Sequence, residues 1–289
     1  MSDFYVKEIW RYPVKSMQGE KLTQCVLTKG GIPLDRGWAV RDEKTKAIRG
    51  AKHFGTLLNC KARYLDGTSA GIVPHVEIML PDGTLTRSDA IDVHAKLSKA
   101  LGVEVTLWPL QPAENAEHYK QVSETGDPIA DLRQIFGLLP NEPMADLSTF
   151  SPEVITELMT YTSPRGTYFD AYPVNVLTEA SLRYFQTLTP TSVLDVRRFR
   201  PNFLLGDTRQ EVRMAEYDWI GKRVRLGTAQ ISVGLAAPRC IMTTREQMEL
   251  PRDANIMRTM VRETGQCLSI YADVAQAGTV SMNDKVMTV

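Results

Sequence analysis

Short runs of alternating apolar and polar residues, each ended by a proline, glycine or aspartate, recur along almost the whole chain. A segment that alternates with period two is a half-buried strand, and strands this short and this closely spaced favour barrels or sandwiches over a doubly wound sheet. The clearest case is PHVEIMLPDGTLTRS, residues 74–88, where two alternating runs flank Pro81-Asp82-Gly83 and read as a hairpin. YVKEIWRYPVKS stops at Pro13, KLTQCVLT alternates, GGIPLDR turns the chain, GWAVRD resumes it, and VEVTLWPL is another strand. One helix interrupts at SDAIDVHAKLSKALG, with Ser88 or Asp89 as N-cap and Gly102 as C-cap.

From Gln111 to about Leu147 the sequence is polar, proline-bearing and aperiodic, the pattern of a linker or long surface loop. SPEVITELM then opens a helix, with Ser151 at N-cap and Pro152 at the first helical position. FDAYPVNVLTEASLRYFQTL reads as a strand passing into a helix at Thr178. RRFRPNFLL, RVRLGTAQISVGLAA, QCLSIYADV and GTVSMNDKVMTV are further strands, with one helix at PRDANIMRTMVRET. Trp38 and Trp219 are expected to be strand-packing aromatics.

The 289 residues suffice for two ordinary domains, and 43% hydrophobic against 24% charged content describes a protein that buries a real core. Basic and acidic residues balance at 34 each, so no global field recruits nucleic acid or an anionic membrane. No apolar run approaches the length of about 18 residues needed to span a bilayer. The N-terminus lacks the pattern of a signal peptide, and a cytoplasmic location is expected. Cys25, Cys60, Cys240 and Cys267 form no C-x-x-C pair, and the four histidines no H-E-x-x-H. A bound metal would therefore need more than a protein-only cage. Cys25, Cys60 and Cys267 lie in strand patterns and read as core residues.

Four short stretches carry cations or small donors at turns beside strands: YPVKSMQG with Lys15 and Ser16, PLDRGW with Arg36, RFRPNFLL with Arg200 and Asn202, and APRCIMTTRE with Arg239 and Cys240. Such groups are the equipment for gripping a phosphate or similar anion. Each also reads simply as a loop or strand end. A thiol next to a guanidinium is favoured as thiolate, the form that binds metals and attacks electrophiles.

In this order, YPVKS, DRGW, FDAYPVNVLTEASL, RFRPN and RCIMTT resemble the MOSC family, the proteins of the molybdenum-cofactor sulfurase C-terminal domain, and within it the mitochondrial amidoxime reducing component and its bacterial relatives. The resemblance implies a mainly β fold of β-barrels with a few flanking helices, a MOSC N-terminal β-barrel domain over residues 1–120 and a MOSC domain over 121–289. It implies a molybdenum cofactor (a molybdenum–molybdopterin) whose metal is held by Cys240. Lys15, Ser16, Arg36, Arg200 and Asn202 match positions that hold the pterin and its phosphate, and Arg239 would help keep Cys240 ionised. Asp170 matches an acid close to the metal, able to hydrogen-bond water or relay a proton. Eukaryotic members carry hydroxyl residues where this chain has Ala171 and Tyr172, leaving these two as backbone contacts. The same resemblance leaves pyridoxal phosphate open as another phosphate-bearing ligand.

The activity so implied is reduction of N-hydroxylated small molecules: hydroxylamines, amidoximes or N-hydroxylated bases. No counterpart of the ferredoxin domain of some bacterial relatives is expected after the last predicted strand. Electrons are then expected from a separate flavoprotein, ferredoxin-type or flavodoxin-type donor, with neither nucleic acid nor membrane as partner. Two alternatives keep the fold: a persulfide carrier using Cys240 in cofactor or cluster assembly, and a non-catalytic carrier of the molybdenum cofactor.

Overall fold

A computed structural model describes residues 3–65 and 73–289. The first strands are β1 (Phe4–Arg11), β2 (Glu20–Leu22), β3 (Gln24–Leu27), β4 (Trp38–Asp42) and β5 (Ile48–Arg49). After them come β6 (Lys61–Tyr64), β7 (Val76–Met79), β8 (Leu85–Arg87), helix α1 (Val93–Leu101) and β9 (Val105–Pro109). Helices α2 (Ala116–Tyr119), α3 (Pro128–Phe136) and α4 (Pro152–Thr160) lead to β10 (Val174–Thr178), α5 (Glu179–Leu188) and β11 (Phe203–Asp207). The chain finishes with β12 (Arg223–Leu226), β13 (Ala229–Pro238), α6 (Ala254–Glu263), β14 (Cys267–Gln276), β15 (Gly278–Ser281) and β16 (Val286–Thr288). The fold is mainly β, as the alternation requires.

One eight-stranded sheet, ordered β16-β12-β13-β14-β10-β11-β1-β2, organises the molecule. It curls on itself: Tyr5 on β1 bridges Lys285, the Val6 amide donates to the Asp284 carbonyl at 2.9 Å, and the Asn283 amide donates to Val6 at 2.7 Å. Closure of this kind satisfies backbone groups that an open edge would expose. Val6, Ile9, Val176, Phe203, Ile231 and Ile270 fill the interior. β10 and β11 run parallel, joined by α5, whose Thr178 N-cap accepts from the Ser181 amide. β1 and β2 from the start of the chain belong to this sheet, since β1 pairs with β11 and β2, while β3 pairs with β15 in a separate two-stranded sheet. Two three-stranded sheets, β5-β4-β9 and β6-β7-β8, pack with α1 around a second core of Val40, Leu57, Ile78, Leu97 and Leu107.

The segment 111–147 departs from the expected linker. It contains α2 and α3, and α3 is specified locally: the Asp127 side chain accepts from the Ile129 amide, Pro128 occupies the first turn, and Gly137 ends the helix with φ 68°. Helix α1 starts later than expected, with Asp92 at N-cap. Ser88 instead accepts from the Val76 amide, and Asp89 pairs with Arg87. The strand expected through RRFRPNFLL begins only at Phe203, because residues 196–198 form a 3-10 turn and Arg200 is left-handed with φ 51°. Trp38 packs on a strand, whereas Trp219 sits in a 3-10 turn, edge-on to Phe4. Cys25 and Cys60 are buried, and Cys267 is half-buried. Among the described residues, no helix is long and apolar enough to cross a membrane.

Candidate functional site

Two adjoining cavities open where the barrel meets the second core. The outer is a cleft of ≈ 190 Å³ and the inner a recess of ≈ 40 Å³. Every residue singled out from the sequence lines one or both of them. Lys15, Ser16, Asp170, Arg239 and Cys240 line both. Arg36, Tyr172, Arg200 and Asn202 line the recess, and Ala171 the cleft. Five stretches far apart in sequence thus meet at one place.

Backbone geometry sets each of them. β13 ends at Pro238, which has no N–H to continue the ladder, so Arg239 and Cys240 leave the sheet. A 3-10 turn over 241–244 follows, and the Thr243 hydroxyl donates to the Cys240 carbonyl at 3.1 Å. The half-buried Cys240 side chain packs against the second core. Ser16, Arg36 and Arg200 are all left-handed, with φ of 70°, 56° and 51°. Non-glycine residues rarely adopt this region, and strain of this kind gathers at functional sites. The Ser16 hydroxyl accepts from the Ala51 amide at 2.8 Å, and Gly50 is required there because a Cβ would stand 2.6 Å from that oxygen.

The recess is lined by stacked cations. Tyr12, buried, lies between Arg200, 4.1 Å from its ring centroid, and Arg36 at 4.8 Å. Its hydroxyl donates to the Pro201 carbonyl. Arg36 pairs with the buried Asp35, which also accepts from the Tyr12 amide and from Asn202 Nδ2 at 2.9 Å. Asn202 Oδ1 accepts from the Asn175 amide at 3.1 Å, so its side chain ties the strand ends to Asp35. Arg200 donates to the Met17 carbonyl through Nη1, yet among the described residues its buried Nη2 has no partner, and neither has Nε of Arg239. Burial draws the Arg200 pKa down to about 10. Both guanidinium groups line the recess with a donor left unpaired.

At the junction of the cavities Asp170 faces Lys52 at 3.1 Å and Lys15 at 3.4 Å. Its carboxylate lies deep in the molecule but keeps 44% of its surface open, because it fronts the cleft. Burial pushes its pKa up, and Lys52, Lys15 and Arg36 together pull it well below the ordinary carboxylate range. Lys15 Nζ also donates to the Tyr168 carbonyl at 2.8 Å and to Ser163. Burial lowers its pKa to about 8 against the pull of Asp170.

The guanidinium of Arg239 donates to the Phe199 carbonyl and to Ser269. The cations electrostatically coupled to the Cys240 sulfur are Lys52 and Arg245: against burial, Asp170 carries Lys52 above its ordinary range, whereas burial lowers Arg245. Neither was singled out from the sequence, nor were Tyr12 and Asp35. Lys52 sits in RGAKHF, which has no motif, and only the three-dimensional meeting with Asp170 reveals it. Among the described residues, no three His, Cys, Asp or Glu side chains converge as a metal cage. A metal at Cys240 must bring most of its ligands with it.

The YuaD protein of Bacillus subtilis shares 10% identity over 99% of this chain and 97% of its own, with a TM-score of 0.42. YiiM of Geobacillus stearothermophilus shares 15% over 41% of this chain and 54% of its own, with a TM-score of 0.30. A comparison with curated protein sequences found no match. Residues 3–122 match the MOSC N-terminal beta barrel domain and residues 163–287 the MOSC domain, and the chain belongs to the MOSC-domain family.

Proposed function

We propose that this protein is a molybdenum-cofactor-dependent reductase of N-hydroxylated compounds, the metal bound through Cys240. MOSC domains are associated with molybdenum-cofactor binding or sulfur chemistry. The observation that carries the reductase is the pairing of an accessible thiol with a recess lined by Arg200 and Arg239, whose buried Nη2 and Nε lack partners among the described residues. That donor set fits a pterin bearing a phosphate. Arg200, Arg239, Arg36, Lys15 and Ser16 would hold it, with Asn202 and Tyr12 fixing the cations, and Ala171 and Tyr172 offering backbone beside it. When bound, the cofactor supplies the two electrons that cleavage of an N–O bond to amine and water consumes.

The chain's own residues manage protons. Asp170 stays ionised near neutral pH, so it accepts hydrogen bonds and orients the hydroxyl of a substrate or a water. Lys15, drawn to about 8, is the neighbouring group whose proton exchanges near neutrality. A separate redox protein delivers the electrons.

The test is protein made in a host that synthesises molybdopterin, analysed for metal and pterin, then given reduced viologen and an amidoxime. Wild type should reduce it, and Cys240→Ser should lose turnover and most molybdenum. Full metal and full turnover in the variant would defeat the assignment. A persulfide on Cys240, stoichiometric and transferable, with no N-reduction at full molybdenum, would make the protein a sulfur carrier. Tight pterin binding with neither activity would make it a cofactor carrier.

A further inference from the structure

The two cavities that share Cys240 differ in chemistry. The recess is lined by arginines, while the cleft has one wall that is almost wholly apolar. That wall comes from residues 123–162, which fall between the segments matched by the two family domains. Helices α3 and α4 each turn an i, i+3, i+4 triplet to the cleft: Leu132, Ile135 and Phe136 from one, Ile155, Leu158 and Met159 from the other. No residue of α4 is fully buried, so its apolar face is only half covered by protein. The wall is also fixed in place. Arg258 holds the Gly137 carbonyl at the end of α3, and a Cβ on Gly137 would stand 3.1 Å from Ile241, next to Cys240.

Lys15, Arg49, Lys52 and Arg239 line the same cleft. Lys52 pairs with Asp170, Arg49 lies 3.7 Å from Glu124, and burial with the nearby Arg49 and Lys52 lowers His53 to about 3, leaving it neutral. Lys15 and Arg239 are the cations given above to the cofactor, so a phosphorylated substrate would find all four engaged.

We propose that residues 123–162 are a specificity wall, selecting for the Cys240 site a neutral molecule with an apolar, ring-sized body. This rests on the reductase reading for the reaction, but not for binding. The excluded class is the phosphorylated or otherwise anionic N-hydroxylated nucleotide.

The first measurement is a fluorescence titration of the full chain with N-phenyl-1-naphthylamine, a neutral apolar dye. Saturable one-to-one binding is expected, weakened about tenfold or more in Leu132→Glu/Met159→Glu, since each lost apolar contact is a large share of a side chain's burial. Should that pair melt early by circular dichroism, Leu132→Asn and Met159→Gln singly carry the same expectation with smaller shifts. The second measurement compares kcat/KM of the holoenzyme for an N-hydroxylated arene and for a phosphorylated N-hydroxylated nucleoside. Wild type should favour the arene, and the wall variants should lower that ratio about tenfold. Dye binding that is unsaturable, or unchanged in the variants, overturns the wall. Dye binding as expected without N-reduction of either substrate keeps the wall and removes the reductase.

Discussion

Lys15 holds an ammonium inside the protein, with its pKa drawn to about 8 by burial. An anion in the recess would raise it again. Below about pH 8 the free protein is already protonated there, so affinity should be flat; above it, binding requires proton uptake and weakens. Binding of inorganic phosphate or of the pterin, measured calorimetrically, should therefore be about tenfold weaker at pH 9 than at pH 7, and Lys15→Met should flatten that slope. Arg200 makes a different case, because its left-handed backbone strains the fold while its side chain grips the recess. Arg200→Ala and Arg200→Gly should both lose cofactor about ten- to a hundredfold faster, the worth of one charge-assisted hydrogen bond. By denaturant titration the glycine variant should be about 1 kcal/mol the more stable, since glycine relieves a positive φ that alanine does not. Lys15, Arg36 and Arg200 were legible in the sequence as cations at turns. Lys52 and Tyr12 were not, because Asp170 and Arg200, which give them their roles, lie more than a hundred residues away.

At the scale of elements, Thr178 marks where a strand becomes a helix. Its hydroxyl accepts from the Ser181 amide and donates to the buried Glu216 at 2.5 Å. Thr178→Val removes an N-cap worth about 1 kcal/mol and a buried hydrogen bond worth about another. A loss of about 2 kcal/mol in urea unfolding is expected, and a loss below 0.5 kcal/mol would mean that Glu216 finds another donor. That boundary was readable because β-branched alternation stops at a capping residue. α3 was missed although Asp127, Pro128 and Gly137 give its start and stop, because the polar prolines around it dominated the pattern. The apolar triplet on α3 spans barely two turns, too few for periodicity to stand out.

For the molecule as a whole, the sheet matters more than the division between the two family domains. The alternating runs indicated a barrel, but register and closure depend on contacts spanning nearly the full chain, such as Val6 with Asn283 and Asp284. Residues 123–289 alone would lack β1, β2 and β3. Expressed in isolation they should be insoluble or non-cooperative in thermal melts, and coexpression of residues 1–122 should restore a single transition. A soluble, cooperatively melting fragment would show that the barrel closes without them.

That closure has a consequence for biosynthesis. β1 can pair early with β2, but its other neighbours, β11 and the turn at 283–285, are made much later, so one edge of β1 must wait while most of the barrel is synthesised. Lys15 and Ser16 follow β1 directly, whereas Arg239, Cys240 and Tyr271 are made long after them. The recess therefore exists only once both ends of this barrel have been synthesised. Any molecule it holds must be inserted into a finished barrel, through the cleft, and the nascent chain depends until then on whatever shields its first strand.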